Sequence, residues 1–124
     1  MLIFKTRWFH RWASKEGLAD DALSSAVDEI HAGLFDADLG GHVIKKRLGL
    51  PGRGKRGGSR TLVAFRRESK AFFIYGFAKN ERANISEREL TALKLLASEL
   101  LSYNGGVLAR AVASNELIEV SSDV

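Results

Sequence analysis

Residues 71–78, Ala-Phe-Phe-Ile-Tyr-Gly-Phe-Ala, are apolar at odd and even positions alike. A strand sends successive side chains to opposite faces, so this run suits a central strand covered on both sides. Residues 61–67 are a second β-branched and aromatic run, and only Glu68-Ser69-Lys70 separates the two. The pair predicts an antiparallel hairpin at the heart of a sheet. A chain of 124 residues supports one hydrophobic core, and 45% hydrophobic with 27% charged residues is the composition of a globular protein, not of a disordered or membrane chain.

Other elements follow from periodicity and punctuation. Leu2-Ile3-Phe4 predicts a short strand, and Thr6 can cap a short helix through Lys15 that Gly17 breaks. Between Asp20 and Gly33, Leu23, Ala26, Val27, Ile30 and Leu34 recur at three- and four-residue steps, giving one apolar helix face and hence a helical hairpin. Val43–Leu48 predicts a strand whose alternation puts Lys45 and Arg47 on one side and Ile44, Lys46 and Leu48 on the other. Five glycines and the single proline in residues 49–59 predict a flexible basic loop. Ser86 with Glu89 is a capping-box pattern, and Leu90, Leu93, Ala97 and Leu100 form the stripe of a helix ending near Asn104-Gly105-Gly106. The main domain is expected over residues 1–103. Residues 104–124 are expected to form a C-terminal extension with a short added strand near Leu117–Val120.

Charge is strongly segregated. Residues 16–44 hold seven acids and no Lys or Arg, whereas residues 45–67 hold nine bases and no acid. The net charge of +4 therefore hides a basic cluster on an otherwise acidic chain. Such a cluster is felt by a polyanion within a Debye length of about 10 Å at 0.1 M salt, which makes nucleic acid the leading partner. The bland alternative is a solvated basic loop.

Several chemistries are disfavoured. No cysteine is present, so disulfides and thiolate metal sites are excluded. His10, His31 and His42 form no pair at helical ligand spacing, so no metal is expected. Residues 49–55 fit the opening of a phosphate-binding Walker loop, but Arg56 stands where Ser or Thr would hold magnesium. No Gly-x-Ser-x-Gly elbow occurs. No apolar run at the start is long enough for a signal peptide or elsewhere for a membrane span, so a cytoplasmic location is expected. Phe72, Phe73, Tyr75 and Phe77 can be read as a base-stacking platform or, more commonly, as core.

The order strand, helical hairpin, basic strand, Gly-rich segment, hairpin, helix resembles the RelE/ParE toxin superfamily. Gly54-Lys-Arg-Gly-Gly-Ser-Arg60 and Ala78-Lys-Asn-Glu-Arg82 are similar to its HigB-like branch. The resemblance spans about residues 1–103. It implies an α+β fold, with an N-terminal strand and helical hairpin packed on a mainly antiparallel twisted sheet and a C-terminal helix. It also implies a type II toxin that cleaves messenger RNA on the ribosome without a cofactor. A cognate antitoxin, often carrying a DNA-binding domain, would silence it.

RNA cleaves itself when its 2′-hydroxyl is deprotonated and driven in line onto the adjacent phosphate. The protein must then supply a base, cations for the pentacovalent phosphate and an acid for the 5′-oxygen. The resemblance assigns Lys45 and Arg47 to substrate phosphate, with Lys45 also a candidate for proton transfer. It assigns Arg60 to phosphate stabilisation, and Lys79 and Arg82 to the basic pair after the central strand. Lys46, Arg53, Lys55 and Arg56 are read as grips for RNA or ribosomal RNA backbone. The chain departs from the family pattern at Asn80, where RelE has a catalytic arginine, and near Ser86, where RelE has a catalytic tyrosine. Two other readings stay open: a ParE-like inhibitor that binds DNA gyrase, and a nucleic-acid-binding adaptor without activity.

Overall fold

A computed structural model describes residues 1–52 and 54–121. The elements in chain order are β1 (Leu2–Thr6), α1 (Arg7–Glu16), α2 (Asp20–His31), β2 (Ala37–Asp38), β3 (Val43–Leu50), β4 (Gly54–Arg66), β5 (Lys70–Ala78), α3 (Glu87–Leu101), α4 (Gly105–Ala113) and β6 (Leu117–Glu119). They build one six-stranded sheet in the order β2-β3-β4-β5-β1-β6. The β1 and β5 strands pair in parallel, and every other neighbouring pair is antiparallel. The α+β expectation holds. Among the described residues no helix is long and apolar enough to cross a membrane.

Local chemistry accounts for the helix ends. Thr6 accepts a hydrogen bond from the Phe9 amide, and Gly17 at φ 78° closes α1 in the left-handed conformation. Ser86 and Glu89 complete a reciprocal capping box at the start of α3. At the other end of α3 no base lies in the last turn, and the sheet supplies the cations instead. Arg66 donates to the Leu101 carbonyl at 3.1 Å and Lys70 to the Tyr103 carbonyl at 2.7 Å.

Two apolar layers sandwich the sheet. Phe9 and Ala13 of α1 with Leu23, Ala26, Val27 and Ile30 of α2 cover Ile44, Leu48, Val63 and Phe73. On the opposite face Ala97, Leu100 and Leu101 of α3 with Leu108 and Ala111 of α4 cover Val43, Leu62, Ala64, Phe72 and Ile74. Strand β5 lies between β4 and β1 and sends residues into both layers, as its two-faced apolar run predicts.

In two places the chain is more regular than its composition predicts. Residues 49–59 were expected to loop, yet β3 runs on to Leu50 and β4 begins at Gly54, with a turn at Pro51-Gly52 and a register shift between Leu48 and Leu50. Ladder bonds join backbone to backbone and need no side chain. Ser59 and Thr61 reinforce them by donating to the Leu48 and Lys46 carbonyls at 3.1 and 2.9 Å. Asn104-Gly-Gly106 was expected only to end a helix, but the Asn104 side chain accepts from the Val107 amide at 2.9 Å and starts α4. Residues beyond 103 therefore carry a helix as well as the expected added strand. Their Leu108, Ala111 and Leu117 share the layer built by α3.

Candidate nucleic-acid interface

Residues directly opposite in an antiparallel ladder project to the same face. Arg47 of β3 stands opposite Arg60 of β4, which stands opposite Phe77 of β5. One rung along, Lys45 faces Leu62, which faces Tyr75. Leu62 belongs to the α3-covered layer, so Lys45, Arg47, Arg60, Tyr75 and Phe77 share that side of the sheet. Opposite side chains lie about 5 Å apart at Cβ, and next-nearest residues along a strand are about 7 Å apart. Lys45, Arg47 and Arg60 thus project from neighbouring positions of one sheet face.

A bulge in β5 makes this rung possible. Leu62 pairs with Tyr75 while Val63 pairs with Phe73, which leaves Ile74 as an extra residue. Ile74 and Tyr75 both face the α3 layer, and the alternation is reset from there to the strand end. Without the extra residue Tyr75 and Phe77 would fall on the sheet face opposite Arg60.

Arg60 is only 7% exposed, and its Nε lies 3.2 Å from Asp36 Oδ2. The guanidinium also donates to the Ser59 carbonyl at 3.4 Å. Arg82, beyond the turn after β5, lies over the Phe77 ring with its Cζ 5.5 Å from the centroid. It grips Glu89 through two bonds of 3.0 and 2.6 Å and donates to the Tyr75 hydroxyl at 3.2 Å and the Asn84 carbonyl at 3.0 Å. The fork geometry suits a carboxylate and would suit a phosphate equally.

That pairing, with the Ser86 amide, holds the Glu89 carboxyl at about 2 against an ordinary 4.5, and Glu89 raises Arg82 in return. The folded value is the depressed one, so the pair's contribution is complete above about pH 4.5 and is lost as pH falls from there through 2. A carboxyl-detected NMR titration should find Glu89 near 2 in the wild type. In Arg82→Ala it should return well toward 4.5, whereas an unchanged midpoint would remove Arg82 as the cause.

The nine-base stretch does not act as one patch. Lys46 turns to the other face, 8% exposed, where its ammonium lies 3.3 Å from Glu29 and donates to the Leu34 carbonyl at 2.9 Å. There it ties α2 and the segment after it to β3, on the face away from Lys45 and Arg47. Period-two alternation alone separates it from Lys45. Arg66 holds the end of α3, far along β4 from Arg60. Lys79 is exposed just past β5, with its amide bonded to the Gly58 carbonyl at 3.0 Å. Lys55 and Arg56 fall on the first residues of β4, and Arg53 lies outside the described residues.

Phe72, Phe73 and Phe77 are buried and belong to the core, so of the four candidate stacking residues only Tyr75 reaches the surface. Sequence reasoning passed over Asp36, Glu89 as a partner of Arg82, and Trp8. Asp36 and Trp8 lie outside the basic stretch and carry no motif.

A family profile described as the RelE toxin of the RelE/RelB toxin-antitoxin system matches residues 1–120. No curated protein matches the chain. The matched residues include the six strands and four helices found among the described residues. With the sheet order, the helical hairpin on one face and the cationic rung on the other accounted for, the chain belongs to the RelE toxin family.

Proposed function

We propose that this toxin is an endoribonuclease of the HigB-like branch that cleaves messenger RNA on the ribosome and so stops translation. The observation that carries the reading is the convergence of Lys45, Arg47 and Arg60 on adjacent rungs of one sheet face. In this reading Arg60 and Arg47 hold the scissile phosphate and its developing charge. Lys45 accepts the 2′-hydroxyl proton as the 2′-oxygen attacks phosphorus and the bond to the 5′-oxygen breaks. Tyr75, whose hydroxyl is already bonded to Arg82, returns a proton to the departing oxygen. It provides on β5 the hydroxyl that the family places near Ser86. Lys79 and Arg82 extend the phosphate track, while Lys55, Arg56 and Arg53 grip RNA backbone, ribosomal RNA included. A cognate antitoxin with a DNA-binding domain is the expected partner, and the bacterial cytoplasm the expected setting.

A second reading, inhibition by binding alone, draws support from the carboxylates of Asp36 and Glu89, which neutralise Arg60 and Arg82 within the chain. Induced expression in bacteria separates the two. Growth arrest with new message ends confined to translated regions supports the nuclease. Growth arrest with intact messages and trapped gyrase complexes replaces it with the ParE-like alternative, and arrest with neither leaves the binding adaptor.

A further inference from the structure

Strand β1 ends at Thr6, and its register with β5 stops at Lys5 opposite Phe73. The last residues of β5 therefore run past β1, and the first turns of α1 occupy the space beside them. Gly76 is what lets α1 come so close, because the Trp12 ring fills the place of a Cβ there. Trp8, one turn earlier on the same helix face, stacks on Tyr75 with ring centroids 4.6 Å apart and an interplanar angle of 19°. Trp8 and Trp12 are themselves nearly parallel, at 8° and 6.5 Å. Trp8 nonetheless remains 46% exposed.

Leaving so much indole in water while fixing its orientation forgoes burial and gains a flat, rigid, apolar surface. This shelf is continuous with the cationic face, since the Tyr75 that supports Trp8 is bonded through its hydroxyl to Arg82. On its own helix the neighbouring charges are Arg7, Arg11 and Lys15, whereas Lys5 is buried against Asp20 and Arg82 is paired with Glu89. A flat ring beside these cations, on a helix that presents Arg7, Arg11 and Lys15, matches a nucleotide of single-stranded RNA better than an apolar peptide face.

We propose that Trp8, backed by Tyr75, is a stacking shelf that receives a nucleobase next to the scissile phosphate and positions the message for in-line attack. The proposal rests on the RNA-cleaving reading and adds a positioning residue to it. Stacking is tolerant of base identity, so the shelf contributes order and affinity more than sequence preference.

The test is single-turnover cleavage of a short message on programmed ribosomes by wild type, Trp8→Ala and Trp8→Phe. Each is assayed on a normal message and on messages with one abasic nucleotide placed in turn on either side of the cleavage point. Circular dichroism checks that the exposed site tolerates the changes. Trp8→Ala is expected to raise the half-saturating toxin concentration about tenfold, Trp8→Phe to retain most of the wild-type value, and one abasic message to erase the difference between wild type and Trp8→Ala. That non-additivity is not produced by a merely structural role. If wild type cleaves and Trp8→Ala matches it, or if the two losses simply add at every position, the shelf is overturned while the nuclease reading survives; a protein partner then becomes its occupant. Absence of cleavage by wild type on any message would overturn both.

Discussion

Arg60→Ala is expected to lower message cleavage by about 10²–10³-fold while the chain stays folded. The size follows from what the side chain is. It is a guanidinium, 7% exposed, flanked across the ladder by Arg47 and Phe77, so its charge acts in a site where water screens it little. The Asp36 contact at 3.2 Å fixes the orientation of Nε and must yield to, or share with, an incoming phosphate. Arg60→Lys keeps the charge but loses the planar fork, and should recover only part of the rate. Removing the nearly buried Arg60 leaves the Asp36 carboxylate, 27% exposed, without its cation, so a stability loss of about 1–3 kcal/mol is expected. Cells expressing Arg60→Ala should grow and show no new message ends, with thermal unfolding of the purified variant as the control. Continued growth arrest by a folded Arg60→Ala protein would take Arg60 out of the mechanism.

Gly76→Ala should be the most damaging small substitution for the fold, lowering the free energy of unfolding by about 1–3 kcal/mol. A Cβ at this position would fall 2.7 Å from Trp12 Cε3 and Cη2 and closer still to Cζ3. The ring cannot easily yield, because it also packs against Phe9 at 5.4 Å and lies parallel to Trp8. Glycine normally weakens a strand, and alanine would gain about 0.5–1 kcal/mol were there room. Gly49→Ala is the matched control: a Cβ there meets nothing within 4 Å, and unfolding should be unchanged or slightly harder. Denaturant melts of both variants, with Trp12→Leu added to Gly76→Ala to reopen the space, check the account. A Gly76→Ala protein as stable as wild type would show that α1 is free to lift from the sheet, and the Trp8 stack would lose its fixed seat.

The elements whose signals are local were legible in the chain. Thr6 and Gly17 bound α1, Ser86 and Glu89 start α3, and the two-faced run 71–78 lies inside the sheet. Alternation along β3 was enough to place Lys45 and Arg47 together and Lys46 apart, because a period of two needs no knowledge of the rest of the molecule. The same alternation argued against counting Lys46 with the RNA-binding bases, yet charge density alone had grouped it there. Ladder pairing was less legible. The Gly-rich segment looked irregular because its residues have weak propensity for strand, and only the partner strand, with Ser59 and Thr61 bonded across to β3, makes it regular.

What sequence determined by itself, then, was the layered α+β architecture and the identity of the cations, since both depend on periodicity and residue type along short stretches. Beyond the Lys45 and Arg47 pair, the tertiary structure alone decided which of those cations meet. The bulge at Ile74 turns Tyr75 and Phe77 toward Arg60, and Asp36 reaches Arg60 from 24 positions away. Glu89 clamps Arg82, and Trp8 comes to rest on Tyr75 from the far end of the chain. These are contacts between residues with no fixed spacing, set by register and by how closely a helix can approach a glycine, and no periodicity along the chain encodes them.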